Sequence, residues 1–302
     1  MKATPRSAPA PADPAVSGIG WPAGGVSAAD VTGSGLLLGP GGHRPVPIAS
    51  VAKVMTAYVV LRDHPLSADG PGPPIVVEPS EAAAYPAEVR AGDSVIPVRA
   101  GEVLTERQAL EALLLPSADN VAWILARWDA GSAAAFVDRM NAVAHQLGMT
   151  STHYTDPSGL AASTTSSAAD QVRLGIAAMG QPALAGIASQ SSALIPVAGT
   201  VDNLNSLLGK DGIVGLKTGS TSAAGGCVLL AALSKTGHRR ALVVVAVFGQ
   251  PGSPDTILSV ALHAGQQLLI DIERNIGVPL SSTPSVPRQR DRSRGPNAAN
   301  VY

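Results

Sequence analysis

Three short polar segments carry the side chains with which this chain could do chemistry. The first is Ser50-Val-Ala-Lys53. Three positions along a helix put both side chains on one face, so the hydroxyl and the amine can share a hydrogen bond. An amine near the positive end of a helix and among apolar residues loses part of its preference for the charged form, and a neutral amine can take the serine proton. That makes a candidate nucleophile and base. The plainer alternative is a capping serine beside a lysine that snorkels to solvent.

The second segment is Ser117-Ala-Asp119-Asn120, directly after Pro116. Proline ends one helix and the next begins within a few residues, so these side chains are expected on a tight inter-helix turn, where they could also serve as ordinary caps. The third is Lys217-Thr218-Gly219, followed by Ser220 and preceded by the apolar run Ile213 to Leu216. On a strand edge it offers a fixed ammonium and hydroxyl for a substrate carboxylate, and glycine lets a substrate backbone lie close. A second copy, Lys235-Thr-Gly237, falls between two strongly apolar runs and reads as turn chemistry.

The elements that must position these groups follow from periodicity. Gly35 to Leu38, Ile75 to Val77 and Val95 to Val98 read as short strands. From Ser50 to about Arg62 the chain is apolar nearly all round, which predicts a buried helix. Thr105 and Gln108 have capping-box spacing ahead of a helix that Pro116 stops. Further helices are expected over Val121 to Ala130, Ala133 to Leu147 with Ser132 as cap and Gly148 as stop, and Ala168 to Met179. Ile213 to Leu216, Gly226 to Leu233 and Arg240 to Phe248 then read as strands, and Ile257 to Glu273 as a long helix. Strands at both ends with helices between them imply an α+β fold, an antiparallel sheet covered by helices.

Composition narrows the partners. With 302 residues the chain can bury a sizeable core, and a formal charge of -1 with 14% charged residues gives no basic field for a nucleic-acid backbone. One cysteine, Cys227, cannot staple the chain and reads as a small buried hydrophobe. Six scattered histidines show no metal-ligand spacing, so no metal cofactor is expected from composition. The longest clean apolar run, Ala241 to Phe248, is far short of the ~18 residues of a membrane helix. Residues 1–22 read as a disordered Pro/Ala-rich leader, 23–275 as the catalytic domain, and 276–302 as a disordered Pro/Arg-rich tail.

Taken together and in order, spaced by 67 and 100 residues, the three segments resemble those of the penicillin-recognising serine enzymes. The phrases PIASVAKVMTAY, LLLPSADN, THYTDPSGL and GLKTGST are similar to the low-molecular-mass penicillin-binding proteins, the D-alanyl-D-alanine carboxypeptidases. The resemblance covers roughly residues 20 to 275 and implies a β-lactamase/transpeptidase-like fold with a helical subdomain. It also implies attack by Ser50 on the penultimate carbonyl of a peptidoglycan stem peptide, with Lys53 as base and Ser117 relaying the proton to the departing D-alanine. Lys217 and Thr218 would hold the terminal carboxylate, and the amides of Ser50 and Ser220 would form the oxyanion hole. β-Lactam antibiotics would acylate the same serine. Such an enzyme would serve peptidoglycan biosynthesis and cell shape outside the cytoplasmic membrane, so the leader is expected to be the stem left by a signal or anchor.

One position departs from that pattern. The family's middle segment is Ser-x-Asn, and here Asp119 stands third, with Asn120 one step later. An ionised Asp accepts hydrogen bonds without donating them, and its charge near Lys53 would oppose the base role. Either side chain could fill the place, which leaves a weakly active penicillin or stem-peptide sensor as an alternative. A class A β-lactamase is the other rival. It needs a carboxylate for the deacylating water, usually Glu, and none stands between Glu111 and Glu273; Asp156 in Asp-Pro-Ser-Gly is the remaining substitute, in a context that reads as a turn.

Overall fold

Strand β1 (Val26–Val31) and its hairpin partner β2 (Gly35–Leu38) lie near the start of the described chain, which in the computed structural model comprises residues 18–276 except 237 and 238. Short strand β3 (Val46–Pro47) leads into a 3₁₀ turn, Ala49–Ala52, that runs straight on into α1 (Lys53–Asp63). Then follow β4 (Pro74–Val76), α2 (Pro79–Ala91), β5 (Val103–Thr105), α3 (Glu106–Leu114), α4 (Asp119–Ala130) and α5 (Ala133–Gln146). After β6 (Thr165–Ser166) come α6 (Ala168–Met179), α7 (Pro182–Ala188) and the hairpin β7 (Ser192–Ile195) with β8 (Gly199–Asp202). The long strands β9 (Ile213–Thr221), β10 (Gly225–Thr236) and β11 (Arg239–Gln250) and helix α8 (Ile257–Ile276) complete the order.

The main sheet runs β2-β1-β11-β10-β9, every neighbour antiparallel. Its side chains sort by the two-residue period of a strand. Val228, Leu230, Val243, Val245 and Val247 face α8, where Leu268, Leu269 and Ile272 meet them. Leu229, Ala231, Val244, Ala246 and Phe248 face the helical block. Both faces are therefore covered, and each fully buried Val or Leu contributes roughly 1.5–3 kcal/mol. Helix α6 comes so close to the sheet that a Cβ at Gly175 would sit 2.7 Å from the Val244 side chain. Helix α1 is surrounded by α3, α4, α5, α6 and α7, which is the packing that its all-round apolar character predicts.

The α+β expectation holds, as do the helix at Ala168 to Met179 and the Thr105–Gln108 capping box, in which each residue's amide donates to the other's side chain. Four expectations need correction. Val95 to Val98 forms no strand: Asn120 accepts from the Ile96 amide and donates to the Ile96 carbonyl, occupying the groups a strand neighbour would use. Helix α4 starts at Asp119 rather than Val121, so Asp119 and Asn120 occupy its first turn and not a loop. Residues 18–22 are not free leader, since Ile19 is buried with Trp21 against the α8 layer. Strand β10 continues through Lys235 and Thr236, so those two residues are ladder backbone, while Gly237 and His238 lie outside the described residues. The expected tail beyond Ile276 and the leader before Gly18 also lie outside them.

Candidate active site

Ser50 sits within the 3₁₀ turn that precedes α1, half-buried, and the residue before it, Ala49, has φ 47°. A non-glycine residue in the left-handed region costs about 1 kcal/mol, and such strain persists where the surroundings fix it. Here the surroundings are two backbones. A Cβ at Gly219 of β9 would come within 2.7 Å of the Ser50 amide nitrogen, and a Cβ at Gly159 would overlap the Ala49 carbonyl. Only glycine permits either approach. Gly159 itself has φ 82°, so its own backbone also favours glycine.

Lys53, the first residue of α1, is fully buried. Its Nζ donates to Ser50 Oγ at 2.8 Å, to Asp119 Oδ1 at 2.6 Å and to the Ser158 carbonyl at 3.0 Å. Burial pulls its pKa below the ordinary lysine value, and the Asp119 carboxylate pulls it partly back. Asp119 is held from its other side: Oδ2 accepts from the Ser94 amide at 3.0 Å, and the Asp119 amide donates to the Ser94 carbonyl at 2.6 Å. These bonds decide which side chain faces inward. Asp119 meets Lys53, and Asn120, about 100° further round the helix, pins the loop at Ile96.

Ser117 is buried, has φ 68°, and its Oγ has no hydrogen-bond partner among the described residues. An unpartnered buried hydroxyl is costly enough to call for an explanation, and a ligand that uses it is one. Strand β9 is an edge strand of the main sheet and carries Lys217, Thr218, Gly219 and Ser220. Lys217 is 1% exposed, yet its only acceptor among the described residues is the Thr218 carbonyl at 2.9 Å. Burial first, and the nearby Lys53 charge second, hold its ammonium pKa well below the usual value. Ser220 is exposed on the same edge.

Sequence reasoning missed the Ser158 carbonyl as a partner of Lys53, and a backbone acceptor leaves no residue-type signal. The loop around it is locked. Asp156 takes the amides of Ser158, Gly159 and Leu160 and the hydroxyls of Ser158 and Thr164, and Thr56 donates to the Pro157 carbonyl at 2.6 Å. With its oxygens so occupied, Asp156 is a turn builder, as its sequence context predicts. The arrangement as a whole pairs a hydroxyl with a buried amine, with a second buried lysine near enough to feel its charge, which suits acyl transfer from a substrate bearing a carboxylate.

Comparison with known proteins identifies the family. The family model described as D-alanyl-D-alanine carboxypeptidase matches residues 29–249. A D-alanyl-D-alanine carboxypeptidase, DacB2, of Mycobacterium tuberculosis is 34% identical over 73% of this chain and 73% of its own. A D-alanyl-D-alanine endopeptidase of Pseudomonas aeruginosa is 39% identical over 46% of this chain, a match spanning 42% of that protein's length. Among solved structures, a D-alanyl-D-alanine carboxypeptidase from Mycobacterium tuberculosis superposes with a TM-score of 0.67 at 30% identity, covering 82% of this chain and 90% of its own. The Streptomyces K15 DD-transpeptidase shares the fold, with a TM-score of 0.69 at 24% identity over 83% of this chain and 95% of its own.

Proposed function

Because the chain belongs to the D-alanyl-D-alanine carboxypeptidase family of serine peptidases, we propose that it removes the terminal D-alanine of peptidoglycan stem peptides through an acyl-enzyme on Ser50. The observation that carries this reading is the 2.8 Å contact between Ser50 Oγ and the fully buried Lys53 Nζ. The serine proton passes to the neutral amine as Oγ bonds the penultimate carbonyl carbon, and the carbonyl π pair moves to oxygen. The amides of Ser50 and Ser220 would receive that oxyanion; losing one such donor typically costs ~10²–10³ in rate. The C–N bond then breaks, and the proton held by Lys53 leaves with the D-alanine amine by way of the unpartnered Ser117 hydroxyl. Water, activated by the same amine, releases the acyl group.

Lys217 and Thr218 are the proposed receptors of the terminal carboxylate. A buried ammonium whose only acceptor among the described residues is a backbone carbonyl gains most from an arriving anion. β-Lactams, whose carboxylate and strained amide would occupy the same positions, are the proposed covalent inhibitors. The location is proposed to be outside the cytoplasmic membrane, where the polymer lies. A second reading has support in the relatives named endopeptidases: cleavage of a D-alanyl cross-link between strands, in which the leaving group is a longer amine.

Incubation with a fluorescent penicillin, with a D-Ala-D-Ala peptide and with a cross-linked dimer tests these readings together. Stable labelling with release of free D-alanine is expected, and Ser50→Ala abolishes both. A persistent adduct in that variant removes the mechanism. Label without D-alanine release means a sensor, rapid penicillin loss without label means a lactamase, and cleavage of the dimer alone means an endopeptidase.

A further inference from the structure

Asp119 forms and breaks no bond in the proposed reaction, yet its carboxylate makes the shortest contact to Lys53. A lysine ammonium has three N–H bonds, and Lys53 has three acceptors, so the charged form is fully matched. The neutral amine has two N–H bonds and one lone pair. The Ser158 carbonyl has no proton to give, and neither has an ionised Asp119; only Ser50 Oγ–H does. With the two N–H bonds taken by those acceptors, the lone pair has one outlet, the serine hydroxyl. The Ser158 carbonyl aims the amine without charge, whereas the carboxylate also steadies the ammonium as it forms.

We propose that Ser50, Lys53 and Asp119 act as a proton-transfer triad in which Asp119 is a positioning residue that directs the Lys53 lone pair to Ser50 and sets the pH at which the site becomes reactive. This rests on Lys53 being the base. The step moves one proton from Ser50 Oγ to Lys53 Nζ while Oγ bonds the acyl carbon, and Asp119 gives and takes no proton, like the carboxylate of a Ser-His-Asp triad. Its anchors suit that role, since the Ser94 amide fixes Oδ2 and the first turn of α4 offers its positive end to the charge. Other charges also face Lys53. Asp156 on the Asp-Pro-Ser-Gly loop and Asp93 after α2 favour its ammonium, Lys217 on β9 opposes it, and Glu88 of α2 faces the Asp93–Asp119 side. Replacing Asp119 alone leaves all four in place.

The test is the rate of Ser50 labelling by fluorescent penicillin across pH for the wild type and the near-isosteric Asp119→Asn. An amide oxygen still accepts the Lys53 N–H but carries no charge, so the acid limb is expected to move down by roughly 1–3 pH units. The alkaline plateau is expected to fall by about tenfold, because a weaker base drives proton transfer less. Loss of a merely structural residue scales the profile without moving it, so an unmoved midpoint overturns the proposal. Thermal melting checks each fold. If Asp119→Asn does not melt cooperatively, Asp119→Ser takes its place and the same downward shift is required. The two readings fail separately: label retained in Ser50→Ala sinks the nucleophile, whereas a dead Ser50→Ala with an unmoved Asp119→Asn limb sinks the triad alone.

Discussion

Lys53 and Lys217 are both buried and both held below their ordinary pKa, yet their surroundings differ in one respect. Lys53, at the head of α1, has all its partners in place, a carboxylate among them. Lys217, on edge strand β9, has a single carbonyl among the described residues. The same side chain, almost equally desolvated, is therefore fully matched by the protein in one case and left with a single acceptor among the described residues in the other. Residue type and burial do not separate the proposed base from the proposed anion receptor; the inventory of acceptors does.

The sharpest way to break this contrast is to remove each amine in turn. Lys53→Met should lower the rate of acylation by about 10²–10⁴-fold whether or not the acyl donor has a free carboxylate, because general-base assistance is lost for every donor. Lys217→Gln should cost roughly 10- to 100-fold in kcat/KM on a peptide ending in free D-alanine, the value of a charged hydrogen bond, and far less on its C-terminal amide. Equal losses on acid and amide for both variants, measured by D-alanine or D-alaninamide release, would erase the distinction between the two lysines.

A third buried ionisable group extends the comparison to its limit. Glu106 at the start of α3 is fully buried, neither carboxyl oxygen has a hydrogen-bond partner among the described residues, and burial pushes its pKa up to about 7. A carboxyl pKa raised in the folded state means that the native protein holds this proton more tightly than the unfolded chain between about pH 4.5 and 7. Stability is therefore lost as pH rises through that window. Glu106→Gln should gain on the wild type by about 1–2 kcal/mol between pH 5 and pH 8, read from denaturant melts at the two pH values. A gap that stays constant would show that this carboxyl does not titrate there.

Much of the site was legible in the sequence because its chemistry is tied to residue types. Lys53, Ser117 and Lys217 lie on the elements their contexts predict, Ser50 falls in a 3₁₀ turn just ahead of the helix expected to start with it, and the buried helix, the capped α3 and the paired C-terminal strands follow from periodicity and caps. What could not be read depends on phase, backbone or context. A two-residue difference in where α4 begins decides that Asp119 and not Asn120 meets Lys53. The Ser158 carbonyl has no letter of its own. Helix α2 escapes because it buries no residue and carries Pro86, although Glu78 and Glu81 form its capping box. Strand β1, Val-Ser-Ala-Ala-Asp-Val, holds small residues that become apolar filling only once β11 lies beside it.

The loop holding Gly159 gives the Ala49–Ala52 turn a fixed mould on its rear side. Ala49 is kept in its unusual conformation by neighbouring backbone, so the turn that carries Ser50, the proposed nucleophile, owes its shape to the fold and not to a ligand. Sequence drift should consequently be least forgiving at such silent contact points, where a single added methyl group would jam the casting while leaving every reacting atom unchanged.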